Sequence, residues 1–154
     1  MAALRITDLD EGEWMEVRPQ IHGGDRRVAG HLKIIERSAE RVVVYTRYDP
    51  DLVIEKHSHL ANEVLFVIEG ELIVDDRVCP AGTTLVLEKG TPFGPLTAGP
   101  EGTVLFETFD GETGHVSEDY EGFLRILAQR EITILPEPDA SVPAQGAGRP
   151  AERV

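Results

Sequence analysis

The sequence predicts an all-β domain of sandwich or barrel type, closed by one short C-terminal helix. Two patterns carry that prediction: a series of short apolar stretches between His31 and Phe109, separated by turn residues, and a single helical period after it. Residues 31–38, 41–48, 52–59, 63–70, 71–76, 83–88 and 102–109 read as strands. Between them lie turn signals such as Ser38-Ala39-Glu40, Asp49-Pro50-Asp51, Asp75-Asp76-Arg77 and Gly99-Pro100-Glu101-Gly102. Short strands at this spacing suit a sandwich or a barrel. From Glu118 to Glu131 the period changes. Tyr120, Phe123, Leu124 and Leu127 fall at helical spacing, with Ser117 as the expected N-cap.

The domain division follows from composition. Residues 1–30 are polar and broken by Gly12, Pro19, Gly23, Gly24 and Gly30, so they are expected to form an N-terminal arm fastened to the body by Trp14. Residues 31–116 are the barrel, and 117–135 the helical extension. Residues 136–154 carry Pro, Ala, Gly and charge without an apolar period, and are expected to be disordered. No internal repeat suggests a second barrel.

Charge and apolar content exclude whole classes of function. Among 154 residues, 28 acids stand against 15 bases, a net charge of −13 that repels nucleic acid and anionic lipid alike. No apolar run approaches the roughly 20 residues of a membrane helix. The single Cys79 cannot form an internal disulfide and reads as a small buried hydrophobe. The opening residues lack the basic-then-apolar layout of a secretory signal, so a cytoplasmic location is expected.

The chemistry concentrates in residues 55–70. His57 and His59 are two apart on a strand and so point to one face, forming a chelating pair. If Leu60, Ala61 and Asn62 make a hairpin connection, Glu63 lies opposite His59 with its Cβ about 5 Å away. Two imidazoles and one carboxylate on one side of an ion leave positions free for substrate and dioxygen, as in non-haem Fe(II) oxygenases. Strand parity also puts Leu65 and Val67 on the inner face and Val64, Phe66 and Ile68 on the outer one. A strand apolar on both sides must be covered on both. The outer cover is expected to be the N-terminal arm or a second subunit, and hence a homodimer.

The spacing His57-x-His59-x-x-x-Glu63, followed by Gly70, resembles the ligand-bearing part of the first motif of the cupin superfamily, with Asp51 in place of its leading glycine. The second motif resembles residues 82–93, where Gly82 and Gly90 match, Glu88 replaces a proline, and Phe93 stands where the family's fourth ligand, a histidine, belongs. The resemblance spans about residues 14–110 and implies a jelly-roll β-barrel holding one divalent ion. Fe(II) is the first choice, with zinc, nickel or manganese as the alternatives. A phenyl ring cannot coordinate. The ion is therefore expected on the triad His57, His59 and Glu63, or with Glu55 as substitute fourth ligand, since Glu55 precedes His57 by two and shares its parity.

Further residues are candidates for the pocket. Glu55 is either a solvated charge beside Lys56 or a ligand or general base. Tyr48 or Arg47 could anchor a substrate oxygen, depending on which parity of the strand 41–48 faces inward. Phe93 reads as a wall of the pocket, and His31 and His115 as surface or packing histidines. Three functions compete: an Fe(II) oxygenase of a small organic molecule, a metal-dependent lyase or isomerase using the ion as Lewis acid, with Glu55 or Tyr48 moving the proton, and a non-catalytic module resembling the cupin domain of certain anti-sigma proteins.

Overall fold

A computed structural model describes residues 3–138. The tail expected to be disordered therefore lies, from residue 139 onward, outside the described residues. The architecture is an all-β jelly roll with one short helix. Its strands are β1 (Met15–His22), β2 (Arg26–Arg37), β3 (Val42–Tyr48), β4 (Val53–Ile54), β5 (His57–Ser58), β6 (Glu63–Val74), β7 (Arg77–Pro80), β8 (Thr84–Leu87), β9 (Leu96–Phe109), β10 (Val116–Ser117) and β11 (Ile132–Ile134), with α1 at Tyr120–Gln129. The main sheet runs β11-β1-β2-β3-β9-β6-β7, with β4 beside β9 and β8 beside β6, and β10 pairs with β5.

The alternation read in the sequence sets the faces. Leu65 and Val67 on β6, Val42, Val44, Thr46 and Tyr48 on β3, and Leu105, Glu107 and Phe109 on β9 are all buried. On β3 this resolves the open parity: Tyr48 faces inward and Arg47 outward, its guanidinium over the Trp14 ring at 4.2 Å. Val64 and Phe66 on the outer side of β6 remain 42% and 39% exposed, so the N-terminal segment does not cover them.

Four expectations are corrected. Strand structure begins at Met15 rather than His31, because β1 and β2 pair antiparallel across Gly23 and Gly24, and a register shift between Val17 and Gln20 absorbs Arg18 and Pro19. The glycines and the proline make a hairpin and a bulge there, not an arm. The stretch 71–76 is not a separate strand, since β6 continues through Gly70 to Val74. Glu63 does not lie opposite His59 across a hairpin: β5 pairs with β10, and Glu63 pairs with Leu87 and Phe109. The helix is capped by Asp119, not Ser117, and the Asp119 carboxylate accepts the Gly122 N–H at 2.9 Å. Its buried face, Phe123 and Leu127, packs on Val53 and Ile132 and so closes one end of the barrel.

Candidate functional site

β5 and the chain after it bring His57 and His59 into the barrel, where both are 5% exposed. The backbone of His57 exchanges hydrogen bonds with that of Phe93, 3.0 Å from its N–H and 2.9 Å to its carbonyl. Burial lowers the pKa of both rings, His57 well below the ordinary value and His59 to about 4, so both are neutral at pH 7. Nδ1 of His57 lies 2.8 Å from the Glu55 carbonyl, and Nδ1 of His59 2.7 Å from that of Gly114. A carbonyl only accepts, so Nδ1 carries the proton in each ring and Nε2 keeps its lone pair. That is the tautomer a metal ligand needs.

Glu63, 2% exposed, has no hydrogen-bond donor on either carboxylate oxygen. Its Oε2 lies 3.7 Å from His59 Nε2. Burial, and next the neighbouring Glu107 carboxylate, push its pKa well up. Among the described residues, no three or more His, Cys, Asp or Glu side chains are already drawn into a ligand array. The chemistry of the donor set nevertheless fits a divalent ion: two bare Nε2 lone pairs and a buried carboxylate whose oxygens accept no hydrogen bond.

A cavity of about 10 Å³ adjoins this set, lined by Arg18, Tyr48, His57, His59, Phe93 and Glu107 together with Ile54, Leu65 and Leu96. It has room for an ion or about one water, not for an organic molecule. Phe93 walls it, with ring centroids 4.7 Å from His57 and 6.2 Å from His59. Tyr48 is held protonated by burial and by Glu107, which keeps its hydroxyl a donor.

A second cavity, of about 820 Å³, lies under α1 and β11, and Arg18 lines both. Its polar end is formed by Arg18, Glu55, His115 and Ser117, and its apolar end by Phe123, Leu124, Leu127 and Ile134. Glu55 is buried rather than solvated, yet its carboxylate does not join the histidine pair. It accepts the Ser117 hydroxyl and stands 3.6 Å from His115 Nε2. Residues 55 and 56 break the strand between β4 and β5, so alternation does not carry across to His57.

Sequence reading missed three residues here. His115, taken as a lone surface or packing histidine, is 6% exposed, stacks on His57 at 4.4 Å and receives an Arg18 guanidinium N–H at 3.2 Å on Nδ1. No local pattern marks it, because β10 pairs with β5 only in the folded chain. Arg18 sits in the bulge of β1 with φ 57°, which aims its side chain into the barrel. Glu107 was the legible one, since it shares parity with Leu105 and Phe109.

The fold is shared with solved structures. An RmlC-like cupin from Shewanella frigidimarina aligns at 22% identity and a TM-score of 0.55, over 71% of this chain and 92% of that one. An acetylacetone dioxygenase from Acinetobacter johnsonii aligns at 12% identity and a TM-score of 0.60, over 77% and 82%. A chain in the structure of Rhodobacter sphaeroides SigE in complex with the anti-sigma ChrR aligns at 14% identity and a TM-score of 0.51, over 67% and 52%. No curated protein matches the sequence. No helix among the described residues is long and apolar enough to cross a membrane. The model of the ChrR cupin-like domain matches residues 3–113, most of the chain, and the protein belongs to that family of cupins.

Proposed function

We propose that this cupin is a metal-dependent enzyme acting on a small organic molecule, most specifically a non-haem Fe(II) oxygenase whose ion is held by His57, His59 and Glu63. The observation that carries the reading is the pair of neutral, carbonyl-anchored histidines beside a buried carboxylate that accepts no hydrogen bond, with Arg18 linking their small cavity to one large enough for a substrate. An Fe(II) ion bound there would supply Lewis acidity and redox chemistry with dioxygen.

The chain's own groups divide the remaining work. The larger cavity excludes water from an apolar substrate body through Phe123, Leu124 and Leu127. Arg18, common to both cavities, is placed to hold a substrate oxygen near the histidines. Tyr48, protonated and lining the inner cavity, can donate a hydrogen bond to a group bound there, and Glu55, poised between Ser117 and His115, can take or return a proton.

Anaerobic iron loading followed by oxygen-electrode assays with small β-dicarbonyls, thiols and hydroxyaromatics tests this. Substrate-dependent oxygen uptake, reduced in Glu55→Gln, is expected. Product without oxygen uptake would instead establish Lewis-acid lyase or isomerase chemistry. The match to the ChrR cupin-like domain, ChrR being named an anti-sigma in the aligned structure, supports a second reading, a non-catalytic cupin that binds a metal or small ligand. Metal binding with no turnover of any substrate would support it.

The same proposal includes a homodimer in the cytoplasm. Tyr45, Phe106 and Phe66 are aligned across β3, β9 and β6, with Val64 and Val86 beside them, and Phe66, Val64 and Val86 are exposed. A second copy is the occupant that needs no other partner. Sedimentation equilibrium should give twice the chain mass, and a monomer at micromolar concentration would contradict the dimer.

A further inference from the structure

We infer that Glu107 is a further ligand of the ion, taking the coordination position that Phe93 cannot fill. The inference rests on the metal reading above and names a residue that neither motif supplies.

The inner cavity is bordered by His57, His59 and Glu107, whereas Glu63 is not among its lining residues and stands 3.7 Å from His59 Nε2. Glu107 is 3% exposed on the central strand β9, between Leu105 and Phe109, which are buried with it. Because β6 pairs Leu65 with Glu107 and Glu63 with Phe109, the two glutamates are diagonal neighbours on the inner face. The Thr46 hydroxyl donates to Glu107 Oε2, which fixes the carboxylate in the cavity wall. Neither glutamate has an ion pair with Lys or Arg among the described residues, and the nearest interior cation, Arg18, acts on Glu107 only at a distance.

Two carboxyl groups side by side in an apolar interior are costly to ionise: Glu107 has the Thr46 hydroxyl and the Glu63 carboxyl beside it, and burial raises the pKa of both glutamates. A divalent cation between them and the two Nε2 lone pairs cancels both charges and fills a space that accommodates an ion. The competing candidates are otherwise engaged. Glu55 serves Ser117 and faces His115, and His115 receives Arg18 on Nδ1 while its Nε2 faces Glu55. The result is a centre of two histidines and two glutamates, with the second carboxylate coming from β9, the strand paired with β6.

Cobalt(II) titration with a competing chelator tests this, because the visible spectrum of bound cobalt reports its ligands. Glu107→Gln should weaken Co²⁺ binding by more than the roughly 10–100-fold that loss of an outer-shell partner costs, and should shift the spectrum. Glu107→Asp, which keeps the charge but withdraws the carboxylate by one methylene, should weaken binding as well. It serves if the glutamine variant does not fold. Metal-free Glu107→Gln should unfold at the same temperature as wild type or above, since it removes a buried charge. Wild-type affinity and spectrum in both variants, with binding still lost in His57→Ala, would overturn the role of Glu107 alone. Absence of Co²⁺ binding in the wild type would overturn the metal reading with it.

Discussion

Replacing His57 or His59 by alanine is expected to abolish stoichiometric binding of a divalent ion, measured by elemental analysis after dialysis. Each ring supplies an Nε2 lone pair whose direction is fixed by an Nδ1–H bond to a backbone carbonyl. The same variants have a signature without metal. His59 has its pKa lowered from 6.5 to about 4 by burial, so between these values the unfolded chain binds more protons than the folded one. Its contribution to stability is complete above pH 6.5 and is lost as the pH falls through 4. The loss amounts to about 3 kcal/mol on that shift. Metal-free His59→Ala should show a correspondingly shallower fall in thermal stability over this window. An unchanged metal content, or an unchanged acid limb, would show that His59 is not a buried neutral ligand.

Gly70→Ala is expected to be the most destabilising single substitution in the barrel, at about 3–5 kcal/mol in chemical denaturation, a range in which few point substitutions fall. Gly70 has φ 71°, in the left-handed region that costs an L side chain about 1–2 kcal/mol. A Cβ there would also stand 2.0 Å from the Gly102 carbonyl oxygen, which is backbone and cannot swing aside. The register between β6 and β9 shifts on both sides of this point, so the two glycines form the close crossing around which the long strands bend. The motif glycine is thus a structural requirement for the pairing of β6 and β9 that sets Glu63 beside Glu107. A loss below about 1 kcal/mol would mean that the crossing relaxes freely.

The sequence made the barrel legible where strands alternate cleanly. Leu65 and Val67 point inward and Val64 and Phe66 outward, as parity requires. It was less informative where the backbone departs from the regular strand. Arg18 and Pro19 occupy a bulge, which disguised β1 as irregular chain, and the break at Glu55 and Lys56 voided parity just before the histidines. Those two irregularities account for the misplacing of Glu55 and the omission of Arg18. His115 was hidden for a different reason: its place beside His57 depends on β10 pairing with β5, a contact between segments far apart in sequence. Glu107 could have been found. A carboxylate at an inward position between Leu105 and Phe109 breaks the apolar pattern, and an interior charge calls for a partner.

The most direct measurement is the metal content of protein purified without oxygen or chelator, determined per chain by elemental analysis. Close to one divalent ion per chain is the expected result, because the inner cavity has room for one ion and is lined by His57, His59 and Glu107. Protein that carries no ion, and takes up none when iron, zinc, nickel, manganese or cobalt is offered, would contradict the account at its centre.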